Sequence, residues 1–396
     1  MKIVQLAEVH TEKMGYSDVC LPRAFSKLGN TSVVISSAGN SYSNTKEYKD
    51  IFSNFLNDEN KVGIKNADGY ELYRLESITS PFGIYIKNLY KTLKEIKPDI
   101  VQAGELVSLS TVQCAIISLF LPFKFTVECH IHKSVFNLSM QKRGFLKNLK
   151  KFFRNVFNFM LVQIISLIME RCFPISQDSY EICNNFFLIK KQKLTIRTLG
   201  TDTEIFYKMK DRPLKLKLSL GFKITDIICI YTGRLTEDKS PHILLDAIRI
   251  LHNQGHTHFK ALFIGEGMES YRKLFIDNDF CKILDFVNYK ELNKFYNISD
   301  IGVWPKQEST SQLDALATGL SIIISDQSGV KERAINSGLL YQEGSKLDLA
   351  KKILKLGDEK LRLKMSESSI NKSREIYDWR IIAKKYENDY KKLLKV

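Results

Sequence analysis

Apolar residues recur along this chain in short runs, each followed by a polar turn and then by an amphipathic stretch. In the first half, Lys2–Glu8, Ser32–Ser36, Tyr70–Leu75, Asp99–Ala103 and Phe123–Glu128 read as strands. Three-and-four spacing between them predicts helices over Asp18–Leu28, Gly83–Ile96 and Val107–Leu119, the first stopped by Gly29-Asn30. Residues 39–69, rich in Asn, Ser and Lys, predict a loop with short helical pieces. Phe173–Ser176 and Lys193–Leu199 read as strands on either side of a helix over Ser179–Phe187. After a Lys-rich stretch at 206–222 the rhythm resumes, with strands at Ile227–Thr232, His258–Ile264, Ile283–Phe286, Ile301–Trp304 and Ser321–Ser325. Helices are predicted over Pro241–Gln254, Ser270–Asn278, Lys290–Ile298, Gln312–Thr318 and Leu347–Lys355, and residues 360–396 are helical and charged. Strand–helix alternation throughout predicts the α/β class, with parallel sheets covered by helices. A chain of 396 residues exceeds one ordinary core, so two similar domains are expected.

Charge changes that picture. The formal net charge is +15, which points to anionic partners such as phosphorylated substrates, nucleic acid or an anionic membrane. No aromatic RNA-binding signature, zinc knuckle or recognition helix is present, so nucleic acid is not expected. Lysines and arginines cluster at Lys142, Arg143, Lys147, Lys150, Lys151 and Arg154, ahead of the apolar run Phe157–Met169. That run is too short to span a bilayer. The segment 142–169 reads either as a packed helix pair with solvated lysines or as an in-plane contact with an anionic membrane. The seven cysteines include no CxxC pair, which argues for reduced thiols in a cytoplasmic setting and against a zinc site. The N-terminus enters a strand directly and shows no signal-peptide core.

The candidate chemistry gathers at strand ends in the second half. The strand Ile227–Thr232 leads into Gly233, Arg234 and Lys239. A guanidinium and an ammonium beyond a strand's carboxyl end suit a phosphate or diphosphate, although half of such cations are plain surface charges. Gly265-Glu266-Gly267 is a second such turn and reads first as structural. Ser311 and Asp314 have capping-box spacing, while Glu308, Ser309, Thr310 and Ser311 offer a carboxylate, hydroxyls and helix-start amides to a sugar or phosphate. Asp314, one turn into the helix, is placed to reach a ribose. His130 and His132 follow a strand in the first half and point to opposite faces, with a slight preference for His130 in the cleft.

Taken together, these segments resemble the GT4-like group of retaining glycosyltransferases, whose fold, GT-B, sets two Rossmann-like domains face to face. The resemblance is strongest over residues 193–345 and is carried by Leu199–Phe206, by Tyr231–Leu235 with Lys239, by Phe263–Gly267, by Ala315–Ile323 and by Gly338–Tyr341. Ser240 stands where that group has glycine, and Met14-Gly15 where it has two glycines. The resemblance implies that Arg234 and Lys239 hold a donor diphosphate, that Asp314 meets the ribose, and that His130 lies near the donor sugar. It puts Glu308 on sugar hydroxyls, in a loop shorter than the group's, with Ser309 and Thr310 replacing glycines. Gly15, Gly233 and Gly265 fall on its donor-binding turns.

The expected domains are therefore 1–205, rejoined by a C-terminal helix at 376–396, and 206–375. The expected activity is retaining transfer of a sugar from a UDP- or GDP-sugar to a saccharide or lipid-linked saccharide, with no metal or other cofactor. Placement is cytoplasmic, peripheral to the inner membrane face. A non-catalytic nucleotide-sugar or anionic-glycan binder and a GT-B nucleotide-sugar epimerase are the alternatives.

Overall fold

A computed structural model describes residues 1–38, 61–80, 83–138, 145–267, 269–275 and 280–395. They form two units, one running up to Leu199 and resuming at Trp379, the other comprising Gly200–Asp378. The chain thus passes between units a few residues from the expected 205/206 and 375/376.

The first unit is built on β1 (Lys2–Ala7), β2 (Thr31–Ser37), β3 (Gly63–Asn66), β4 (Glu71–Leu75), β7 (Ile100–Ala103), β8 (Lys124–Cys129) and β9 (Arg171–Pro174). They form one sheet in the order β3-β4-β2-β1-β7-β8-β9, parallel except for the edge strand β3. Its central strands are buried along almost their whole length, as expected for a parallel sheet with both faces covered. The second unit carries β10 (Ile227–Thr232), β11 (Phe259–Ile264), β12 (Cys281–Leu284), β13 (Ile301–Trp304), β14 (Ser321–Ser325) and β15 (Gly338–Tyr341), all parallel, in the order β12-β11-β10-β13-β14-β15. Numbered within its own unit, each parallel sheet runs 3-2-1-4-5-6, the doubly wound Rossmann order. The α/β expectation and the two Rossmann-like domains are therefore what the chain forms.

The last helix, Trp379–Leu394, belongs to the first unit. Trp379, Ile382, Ala383, Tyr386 and Tyr390 pack with Leu21 and Phe25 of the helix Ser17–Lys27 and with Phe173 of β9. The Phe173 and Tyr386 rings meet edge to face at 4.7 Å. The expected return of the C-terminal helix to the first domain is thus realised as a shared core.

Several local expectations fail. Gly83–Ile96 is not one helix: β6 (Gly83–Ile86) pairs antiparallel with β5 (Ser77–Ser80), and the helix begins only at Leu89. Ile84 and Ile86 are buried while Tyr85 is exposed, so this segment follows a period of two. Part of the 39–69 loop is strand β3, and residues 39–60 lie outside the described residues. Lys193–Leu199 makes one isolated bridge, Leu194 to Cys172, instead of a strand. The Lys-rich stretch 206–222 lies inside the second unit and carries the short helix Leu214–Ser219. In the 142–169 segment, a single helix spans Phe145–Ile168, whereas Lys142 and Arg143 lie outside the described residues. Among the described residues no helix is long and apolar enough to cross a membrane.

Candidate functional site

In a 3-2-1-4-5-6 sheet, the loops after the first and fourth strands diverge and leave a crevice at the strands' carboxyl ends. In the second unit these are the loops after β10 and β13, and they carry the candidate cations and Glu308. Gly233, at φ 143°, turns the chain out of β10. The turn is held from below: the Tyr231 hydroxyl donates to the Arg234 carbonyl at 2.7 Å, and Trp304 Nε1 donates to the Thr232 carbonyl at 3.0 Å. The 265–267 turn packs directly on it. A Cβ on Gly265 would lie 2.0 Å from the Gly233 carbonyl oxygen, and one on Gly267 2.3 Å from that of Leu235. Both glycines are thus required by backbone approach, which gives them the structural role the sequence suggests first.

Arg234 is partly exposed, and its guanidinium makes a long contact to Asp238 at 3.4 Å. A surface pair of that kind holds a guanidinium weakly. Lys239 is more confined. Its ammonium donates to the Glu308 carbonyl at 2.8 Å. Burial, followed by the Arg234 charge, pushes its pKa down to about 8. Ser240 takes φ 51°, the left-handed conformation that explains why glycine suits this position.

Two features fix the shortened loop after β13. Gln307, just ahead of Glu308, adopts φ 56°, a strained left-handed turn. The Glu308 carboxylate then accepts from the Gly329 amide at 2.5 Å. Beneath it, buried Arg333 donates through Nη1 to the Ser309 carbonyl and to Gln312 Oε1, both at 2.8 Å. Sequence reading missed Arg333, because nothing local marks an arginine that works 21 and 24 residues away.

The capping-box reading of Ser311 and Asp314 is wrong. The helix Ser311–Ala317 has Thr310 at its N-cap with no side-chain cap. Ser311 instead donates to the Thr232 carbonyl at 3.1 Å, receives Trp304 Nε1 and shares a hydrogen bond with Ser309. Asp314 is buried and accepts from the Thr201 hydroxyl at 2.7 Å. Burial raises its pKa to about 7, against the Thr201 hydrogen bond that lowers it. A carboxyl so enclosed reads as a structural partner of Thr201 as much as a ribose contact.

In the first unit, Gly15 takes φ 63° after the short turn Glu12–Met14 and hands the chain to the helix Ser17–Lys27. His130 follows β8, its Nε2 3.0 Å from the Glu128 carboxylate. Burial disfavours the charged imidazole, but the Glu128 hydrogen bond and charge outweigh it and lift the pKa to about 9. His130 is therefore an imidazolium at neutral pH, suited to donating hydrogen bonds and not to acting as a base. Glu128 is itself oriented by Tyr386 at 2.6 Å and Gln102 at 2.8 Å. His132 meets Asp178 at 3.1 Å, and although burial opposes the charge, His132, Ser176 and the Lys133 amide hold that carboxylate down to about 2. Two more groups escaped the sequence reading. Buried His10, in the loop after β1, bridges Asp18 at 2.7 Å and Tyr70 at 3.0 Å. Glu8 collects the hydroxyls of Ser108 and Ser110.

Within the second unit, then, the fold gathers Gly233, Arg234, Lys239, Gly265, Glu308, Ser309, Thr310 and Ser311 at the carboxyl ends of the neighbouring strands β11, β10 and β13, with Asp314 packed beneath. Gly15 and His130 belong to the first unit. An Asp-x-Asp spacing, Asp277-Asn278-Asp279, lies outside the described residues.

Residues 226–359 match the family model described as glycosyl transferases group 1. The chain is 25% identical to the spore coat protein SA of Bacillus subtilis over 184 residues, 42% of this chain and 48% of that protein. It is also 25% identical to the capsular polysaccharide biosynthesis glycosyltransferase CapM of Staphylococcus aureus over 221 residues, 52% of this chain and 58% of that one. It thus spans about half the length of the curated relatives it matches. Its fold is that of a sucrose-phosphate synthase from Thermosynechococcus elongatus, with TM-score 0.72 and 15% identity over all of both chains. Anabaena Alr3699/HepE, solved in complex with UDP, superposes at TM-score 0.71 with 14% identity, covering 98% of this chain and 99% of that one. The GT-B fold and the glycosyltransferase resemblance read from the sequence are borne out, the resemblance at the level of glycosyl transferases group 1.

Proposed function

We propose that this chain, with its group 1 second unit, is a retaining, metal-independent glycosyltransferase. It moves a sugar from a UDP- or GDP-sugar to a saccharide or lipid-linked saccharide in the making of surface polysaccharide or glycoconjugate. The observation that carries the reading is the pairing at the β10/β13 switch point. Arg234 and Lys239 offer two cations to a diphosphate, and Lys239 is anchored to the backbone of Glu308, the candidate partner of sugar hydroxyls. HepE in its UDP complex, of the same fold, supports a uridine nucleotide as the first donor to try. As the glycosidic bond breaks, charge grows on the departing diphosphate, and the two cations stabilise that charge more than they do the ground state. Protonated His130, in the first unit, is suited to donate a hydrogen bond to a sugar hydroxyl. The work is done in the cytoplasm against the inner membrane face, with the 142–169 segment on the lipid; seven buried free thiols fit a reducing compartment.

The shortened Glu308 loop favours one second reading, a protein that binds nucleotide sugars without turning them over. Proton NMR of UDP-glucose and GDP-mannose incubated with the protein, with and without EDTA, separates the two. Release of diphosphate and sugar of unchanged anomeric configuration, unaffected by EDTA, supports the transferase. Binding without release supports the binder, and loss of release in EDTA removes metal independence.

The Lys239 pKa adds a pH dependence. Near pH 7 the ammonium is charged and ready for a diphosphate, whereas above about 8 it must first take up a proton. Affinity for UDP is expected to hold steady from pH 7 to 8 and then to fall by up to about tenfold per unit. Calorimetric titration at pH 7, 8 and 9 reads this directly. Lys239→Arg should flatten the profile, and a flat profile in the unaltered protein would show that Lys239 does not meet the diphosphate.

A further inference from the structure

The helix Phe145–Ile168 carries two apolar faces where a surface helix ordinarily has one. Inward, Val162 and Ile165, with Met169 just past the helix end, are fully buried in the first unit's core. Outward, Val156, Met160, Ile164 and Leu167 are all exposed, Met160 by 58% and Leu167 by 81%. Their spacing of four, four and three puts them in one row along the helix. Beyond its C-terminal end, Glu170 bonds to the Phe125 amide and pairs with Lys124, at the start of β8. Leu119 and Phe120, the latter 71% exposed, lie just ahead of that strand. Leu119 and Phe120 are thus a second exposed apolar pair in the same unit.

Cations flank this ridge. The helix sequence contains no acidic residue, and Arg154 is exposed just ahead of Val156. At the other end the Lys193 ammonium donates to the carbonyls of Ser166 and Met169, both at 2.7 Å, and Lys190 and Lys191 are exposed beside it in sequence. An apolar row with a cationic rim complements an anionic bilayer, whose headgroups attract lysine and whose acyl boundary takes apolar side chains. A second copy of this chain would bring lysine against lysine across a two-fold interface.

We infer that Val156, Met160, Ile164 and Leu167, with Leu119 and Phe120, form the surface on which this protein rests on an anionic membrane, the helix lying in the plane of the headgroups. The inference rests on the peripheral-membrane placement proposed above and assigns it to residues that lie outside the basic cluster at 142–154. Cosedimentation tests it, using phosphatidylcholine vesicles with and without phosphatidylglycerol. The unaltered protein is expected to pellet with the anionic vesicles only, and to be partly released by salt. Met160→Glu with Leu167→Glu should reduce the pelleted fraction about tenfold, and so should Lys190→Glu with Lys191→Glu. Because these side chains are exposed, thermal melts of both variants should match the parent. UDP binding in solution should be unchanged in both, which separates this test from that of the donor site. Equal pelleting with neutral vesicles, or full binding by the Met160/Leu167 variant, would overturn the inference. So would a dimer that this variant converts to monomer without any vesicle binding, since the ridge would then belong to a second copy.

Discussion

Arg234→Ala is expected to weaken nucleoside-diphosphate binding by roughly 10- to 100-fold and to lower turnover further, by about 100- to 1000-fold. Arg234 stands at the carboxyl end of β10, above the switch point, and among the described residues its guanidinium makes a long, partly exposed contact to Asp238. Its guanidinium is thus available to a ligand at little cost in broken bonds. A charge-assisted hydrogen bond to phosphate contributes about 1.5–3 kcal/mol, and more where charge develops during reaction. Lys239→Ala should act in the same direction and should also release the Glu308 carbonyl from its 2.8 Å donor, loosening the loop that faces the sugar. The two substitutions together should cost less than the sum of each, since both cations serve one diphosphate. Thermal melting should barely change for Arg234→Ala, as a partly exposed side chain makes little of the fold. An unchanged Kd in the folded Arg234→Ala variant would place the diphosphate elsewhere.

Asp314→Asn should stabilise the protein at pH 8 and leave it nearly unchanged at pH 4. Burial is the main cause that raises the Asp314 carboxyl from an ordinary 3.8 to about 7. In the unfolded chain the same group ionises near the ordinary value. Stability is therefore fully present below about pH 4 and is lost as pH rises toward 7, because unfolding lets the carboxyl release its proton. A shift of three units corresponds to about 4 kcal/mol at most, and ~2–4 kcal/mol is the expected gain on removing the charge. Asparagine keeps the shape and the oxygen that accepts from Thr201 at 2.7 Å. Denaturant titrations at pH 4, 6 and 8 read the effect; a difference between variant and parent that does not grow with pH would mean that Asp314 ionises normally in the fold. The same variant addresses the ribose assignment, since a tenfold loss of UDP affinity is expected if the carboxyl contacts the nucleotide.

What the sequence revealed and what it hid follow from the range of the interactions. Strand β10 and its glycine exit were legible because both are local: an apolar run, then a residue free to turn. The same holds for Gly265 and Gly267, although their reason, backbone lying on backbone, appears only in three dimensions. The β5–β6 hairpin was hidden because Ile84 and Ile86 sit in a stretch that also fits a helical period, and only their burial decides between the two. The Ser311–Asp314 spacing misled because tertiary partners, Thr232 and Thr201, outcompeted the local cap. Long-range partners were invisible altogether. The orientation of Glu128 depends on Tyr386, 258 residues later, and the Glu308 loop depends on Arg333. Neither has a signature within a window that pattern reading can use.

The loops after β10 and β13 are expected to bind a nucleoside diphosphate. Isothermal titration of the full chain with UDP, GDP and ADP, each beside its monophosphate, tests it most directly. The account predicts that one diphosphate binds and that its monophosphate binds at least about tenfold more weakly, since both cations are placed for the second phosphate. Binding of no diphosphate, or equal binding of the monophosphate, would contradict it.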